Sequence, residues 1–380
     1  MMQPMAKIIC RSQISALLLA YALWTPITAR ANVEDANVTD LSRVRALAEG
    51  GSISDEITLA ADYFVGTGVP QDSKTAAYWY EKAAGHGNPQ AQNQIGYFYQ
   101  AGIGVPRDFK RAVHWFQLSA ASGYATANVN LAIAYLRGIG VEKNEDLAVR
   151  LLTQAFQKGN GTGATYLGDL YYFGIGVKED KAAAERWFES ALKLHDSLAA
   201  YNLGSLYSVN AGHPHDLPKA AELLRLASNA GYVPAMHSLG LLLVNHPELK
   251  QGAQEGHELL KTASNAGSWK STIVLGILAR DGRGGPVDDK DAYFNFRLAV
   301  LQGGQQADRL VKGSMDNLAA KIGDQELQKA SSDAKAWYEH HPVALAFVYK
   351  GASKSGFPAA AIAYAADGSV AGQLLPLTSS

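Results

Sequence analysis

The chain has 380 residues, 47% hydrophobic and 18% charged, with 34 basic side chains against 35 acidic ones. Such a composition supports a sizeable buried core, excludes a chain that stays unfolded, and leaves no excess of basic charge to hold nucleic acid. A single cysteine, Cys10, excludes a disulfide framework.

The first 31 residues read as a secretory leader. Lys7 and Arg11 precede the apolar run ISALLLAYALW, and Ala29 and Ala31 supply small residues where a signal peptidase reads. The run is shorter than the roughly 20 residues of a membrane span, so cleavage after Ala31 and a periplasmic or secreted mature protein are expected. The mature chain then has no transmembrane segment, no cysteine and a net charge of about −4, once Lys7, Arg11 and Arg30 are removed. Residues 32–51 read as a linker.

From residue 52 a 36-residue period governs the chain. Gly-x-Gly recurs as GTGVPQD at Gly66, GIGVPRD at Gly102, GIGVEKN at Gly138 and GIGVKED at Gly174. A second register repeats at the same step, with Ile95, Leu131, Leu167, Leu203, Leu239 and Leu275. Taken alone, Gly102-x-Gly104 resembles a phosphate-cradling loop, but Arg107 stands where a third glycine is required and the residues before it have helical rather than strand period. A step of this length held without insertion marks a solenoid of stacked supersecondary units.

Within each unit the spacing predicts two helices. The first carries Gly96, Gly168, Gly204, Gly240 or Gly276 beside the leucine register, a choice costly in a helix unless a neighbour comes close. After the Gly-x-Gly turn, Asp72, Asp108, Asn144, Asp180, Asp216, Gly252 and Asp288 fall at the N-cap of the second helix. That helix carries Trp79, Trp115, Leu151, Trp187, Leu223 and Leu259 as core anchors, beside Tyr80, Phe116, Leu152, Phe188, Leu224, Leu260 and Phe296. It ends at Gly87, Gly123, Gly159, Gly231, Gly267 and Gly303, where a left-handed residue closes the last turn.

The combined pattern, as in YFYQAGIGVPRDFKRAVHWFQLSAASG and YLGDLYYFGIGVKEDKAAAERWFESAL, closely resembles the Sel1-like repeat, a relative of the tetratricopeptide repeat, over about Ser52 to Gly303. MDNLAAKIGDQELQKASSDAKAWYEHH resembles the helical cap that closes such arrays. The resemblance implies an all-α, right-handed α/α solenoid of about seven repeats. Residues 52–306 would form the solenoid, 307–341 the capping helices and 342–380 a low-charge tail without repeat character. It also implies binding of a protein or peptide rather than catalysis: a scaffold or adaptor of the cell envelope, or a periplasmic regulator of a membrane sensor or exopolysaccharide system. A cysteine-rich branch associated with β-lactam binding is a poor match to a mature chain without cysteine.

Motifs for chemistry are few. SDAK at Ser332 and KSG at Lys354 are short matches to the penicillin-recognising enzymes, with SVN at Ser208 in the wrong order, leaving a cell-wall or β-lactam-active enzyme as a distant alternative. HPHD, His213 to Asp216, sets two imidazoles beside a carboxylate that already serves as a cap. No metal and no cofactor are expected. If the leucine register points into the core, positions two before, two after and five after it form a concave stripe at i, i+4 and i+7. Asn93, Tyr97, Gln100, Asp169, Tyr172, Tyr201, Leu241, Ile277 and Arg280 are the partner-binding candidates on it. Tyr99, Tyr135, Tyr171 and Tyr207 are expected to pack inside.

Overall fold

The computed structural model describes residues 41–208, 216–249 and 252–341. The leader, residues 32–40, His213, His215 and the tail from residue 342 lie outside the described residues. All regular structure among the described residues is helical. The helices are α1 (Leu41–Glu49), α2 (Ile53–Val65), α3 (Ser73–Gly85), α4 (Pro89–Ala101), α5 (Phe109–Ala121), α6 (Ala125–Arg137), α7 (Glu145–Gln157) and α8 (Gly161–Phe173). They continue as α9 (Lys181–Lys193), α10 (Ser197–Ser208), α11 (Leu217–Asn229), α12 (Val233–Asn245), α13 (Gly252–Asn265), α14 (Trp269–Asp281), α15 (Asp289–Ala319) and α16 (Asp324–His340).

Packing divides the described chain into two units, residues 41–199 and 200–341. In the first, each helix from α1 to α9 packs on the next; in the second, each from α11 to α16 does so. Consecutive helix–turn–helix packing of this kind is an α/α solenoid.

The cap column behaves as its chemistry requires. Asp72, Asp108, Asn144, Asp180, Asp216 and Asp288 each accept a hydrogen bond from a backbone N–H of the following turn. Gly252 is the exception: it has no side chain to offer and opens α13 itself at φ 28°. The Gly-x-Gly turn needs both its glycines. Gly102 ends α4 in the left-handed region, and a Cβ on Gly104 would lie 1.9 Å from the Ser73 carbonyl oxygen, where α3 begins.

The deep core is the second large column. Tyr80, Phe116, Leu152, Phe188, Leu224, Leu260 and Phe296 are all at most 2% exposed. They fill the space left by the first-helix glycines: a Cβ on Gly96 would stand 2.8 Å from the Phe116 ring, and one on Gly168 2.4 Å from Phe188. The neighbouring column is shallower than its residue types suggest. Trp79, Leu151 and Leu223 are buried, but Trp115, Trp187 and Leu259 are half-buried, because a residue one step around the helix faces the edge of the repeat.

Three further expectations change. The stretch 32–51 is not all linker: α1 buries Val44 and Ala48, and the Ala48 carbonyl accepts from Lys82 Nζ at 3.0 Å. The left-handed seat after α9 is held by His195 (φ 60°), at the position glycine fills in five other repeats. At the last repeat the break falls on Gly304 (φ 55°, ψ −142°) instead of Gly303, whose absent Cβ makes room for the Trp269 ring. Beyond Gly304, Val311 and Leu318 pack against the Phe296 core.

Candidate functional site

The first helices position the candidate surface, and they are not equally available. In α4 and α6 the predicted stripe is consumed by packing. Asn93 is 1% exposed and Tyr97 8%, so both are interior residues and the assignment of a partner to them is corrected. Asn93 accepts from Asn130 Nδ2 of α6 at 2.8 Å, and burial raises the Tyr97 phenol pKa. The stripe therefore follows the seam between successive first helices, where residues from both sides meet.

Gln100 lies one turn beyond that seam and stays half-exposed. It lines a cleft between α4, α5 and α6 with Asn130, Ile133, Arg137, Val113 and Ile139. The enclosed part is small, about 10 Å³, the room of one water-sized group. Asn130 is 2% exposed, and its Oδ1 makes no hydrogen bond among the described residues; nor does Asn93 Nδ2. Burial holds the Arg137 guanidinium below its ordinary pKa, with Tyr166 acting in the opposite direction. Sequence reasoning missed Arg137 and Asn130 because each stands one position off the stripe. The polar choice at both, on a helix otherwise rich in Ala, Leu and Ile, was the available signal.

The other candidates are spread along the array. Asp169 on α8 is half-buried, and burial, then the charge of Asp196, raise its pKa well above its ordinary value. Tyr172 stacks edge-on against Phe173 at 4.7 Å, with Lys181 Nζ 5.8 Å from its ring centre. In the second unit, Tyr201 meets Tyr232 at 5.0 Å, and Leu241 is 37% exposed. Ile277 packs against the core that α15 completes. Arg280 pairs with Asp281 at 2.6 Å and reaches Ser314 at 3.4 Å. Of the tyrosines expected inside, Tyr99 and Tyr207 are buried, while Tyr135 and Tyr171 are half-buried. Tyr99 donates to Glu81 at 2.9 Å beneath the Arg111 guanidinium, and its pKa is pushed up to about 12 by burial and then by Glu81.

Among the described residues, one histidine–serine pair and the Ser332–Lys335 motif bear on catalysis. His237 Nδ1 lies 2.9 Å from Ser271 Oγ, but Ser271 is fully buried, so no substrate reaches its hydroxyl. Ser332 and Lys335 lie exposed on α16, where Lys335 pairs with Glu339 one turn on. No group of three or more His, Cys, Asp or Glu among the described residues could hold a metal ion, and no described helix is long and apolar enough to cross a membrane.

A sequence model of the Sel1 repeat matches residues 59–88, 89–124, 125–160, 162–196, 197–232 and 271–304, over half of the chain. The chain belongs to the Sel1 repeat family. This Sel1 repeat chain carries six matched repeats where the period counts seven. The unmatched stretch, 233–270, still folds into the α12–α13 pair, with α12 ending on His246 instead of a left-handed glycine. Among solved structures it is similar to a Sel1 repeat protein from Oxalobacter formigenes, at 22% identity and TM-score 0.52, covering 60% of this chain and 97% of that one. It is also similar to a putative Sel1 repeat protein from Klebsiella pneumoniae subsp. pneumoniae, at 22% identity and TM-score 0.38 over 53% and 98% of the two chains. Yeast Tom70 aligns at 13% identity and TM-score 0.49 over 89% and 72%. The first of these shows the fold alone. No curated protein matches the chain. A Sel1 repeat array is suited to protein–protein interaction.

Proposed function

We propose that this Sel1 repeat chain is an exported, non-enzymatic scaffold that holds a protein or peptide partner on the exposed part of its first helices. The observation carrying the reading is that, in the first unit, Gln100, Arg137 and Tyr172 keep exposed surface on first helices that bury Asn93, Tyr97, Val129 and Ile133. Polar, charged and aromatic groups mixed in this way make an interaction surface, in which a ring supplies most of the affinity. The leader pattern at Lys7 to Ala31 supports export to the cell envelope.

The test compares surface and interior substitutions in a crosslinking capture from intact cells. Tyr172→Ala with Gln100→Ala is expected to weaken capture of the crosslinked partner by roughly tenfold and leave thermal melting nearly unchanged. Tyr97→Ala is expected to lower the melting temperature instead. Capture that survives the surface pair, or melting that falls equally for both, overturns this placement of the face. Hydrolysis of a chromogenic β-lactam by the pure protein overturns the non-enzymatic reading.

A further inference from the structure

Among the described residues, Arg137 is a cation without a counter-ion. It ends α6 half-buried at the cleft, and the charges that act on it include no carboxylate. Three other guanidinium groups of the described residues are paired with a carboxylate. Arg225 meets Glu255 at 2.9 and 2.7 Å, Arg111 meets Glu81 at 2.7 Å, and Arg280 meets Asp281 at 2.6 Å. The C-terminal end of the α6 dipole compensates a charge there only in part. A guanidinium withdrawn from water in this way gains from the charge of a carboxylate beside it.

A second group in the same cleft is also unsatisfied. Asn130 spends its Nδ2 on Asn93 and leaves Oδ1 without a donor, while being 2% exposed. Asn130 and Arg137 are two turns apart on α6, roughly 10 Å along the axis, a length that an extended chain covers in about three residues. Between them Val113, Ile133 and Ile139 are apolar, and Gln100 offers an amide at the edge. A free anion would satisfy Arg137 and leave Asn130 unpaired; a peptide carrying a carboxylate answers both. The enclosed room admits a single small group, so such a chain lies along the mouth and reaches inward with one N–H or through one water.

We propose that the α4–α6 cleft receives an extended acidic segment of a partner protein, with a carboxylate on Arg137 and a backbone N–H about three residues away directed at Asn130. This rests on the interaction reading above and adds the chemistry of the partner.

The experiment is selection of a random peptide library on the full chain and on its Arg137→Gln, Arg137→Lys and Arg137→Glu variants, each first checked by thermal melting. The wild type is expected to enrich Asp or Glu at one position at least fivefold. Arg137→Lys keeps that preference because it keeps the charge, Arg137→Gln loses it, and Arg137→Glu turns it towards Lys or Arg. Peptides enriched without acidic residues, or an acidic preference that Arg137→Gln leaves intact, overturn the acidic cleft while the scaffold reading stands. A library from which nothing is enriched overturns both. Should Arg137→Gln melt well below the wild type, the comparison of Arg137→Lys with the wild type decides: loss of the acidic preference in a stably folded Lys variant overturns the proposal, and its retention supports it.

Discussion

Phe116 and Trp115 are neighbours in sequence and opposites in structure. Phe116 is 1% exposed and occupies the hollow that Gly96 leaves open, whereas Trp115 is half-buried beside the exposed His114. Phe116→Ala is therefore expected to cost about 3–5 kcal/mol in urea unfolding and Trp115→Ala about 1–2 kcal/mol, despite the larger ring. His237 gives a pH-dependent counterpart. Burial first, and the charge of Lys270 second, lower its pKa from 6.5 to about 4. Between those values the unfolded chain binds the proton more readily, so the contribution is fully present above pH 6.5 and is lost as pH falls towards 4. Its size is about 2–3 kcal/mol. Urea unfolding at pH 7.5 and 4.5 is expected to show a drop in the wild type that His237→Gln reduces by about that amount.

At the scale of the helix, the caps decide where each element begins. Asp108 Oδ1 accepts from the Arg111 N–H at 3.0 Å and Asp180 Oδ1 from that of Ala183 at 2.8 Å. Asp108→Ala and Asp180→Ala are each expected to cost about 1 kcal/mol, read as a lowered melting temperature with little change in helical content at 25 °C. This column was legible because a short acidic residue recurs at a fixed step just after a turn. A second column was equally legible and escaped notice: Asn88, Asn160, Asp196 and Ser268 cap first helices at the same 36-residue step. Tyr124 and Tyr232 stand in that column with no side-chain cap bond, which broke the pattern by composition. His195 likewise hid a glycine position, since histidine does not announce a left-handed conformation.

At the scale of the molecule, an array of repeats must cover its ends. In the first unit α1 does so, with Val44 4% and Ala48 0% exposed; in the second, the chain after Gly304 does so, with Val311 and Leu318 at most 2% exposed. The C-terminal cover was readable as an amphipathic helix resembling a family cap. Its N-terminal counterpart was not, because nine residues with two small buried side chains carry little periodic signal. The cover also reaches the candidate surface: Ile277 packs against the core that α15 completes, and Arg280 reaches Ser314.

The amino-acid sequence by itself determined the helix pair, its 36-residue step, the capping residues and the glycine that admits a large ring from the next helix. Each of these depends on chemistry within one repeat or on a contact that recurs from copy to copy. Only the tertiary structure decided which first-helix positions meet water. Asn93 and Asp169 are alike in polarity and differ by about one turn in repeat phase, but one is sealed against the next helix and the other retains exposure. Exposure depends on how closely successive first helices approach, and that distance is set by side chains some 36 residues away, as when Asn93 meets Asn130. The unpaired state of Arg137 among the described residues has the same origin: whether a guanidinium meets a carboxylate depends on where the neighbouring elements are placed.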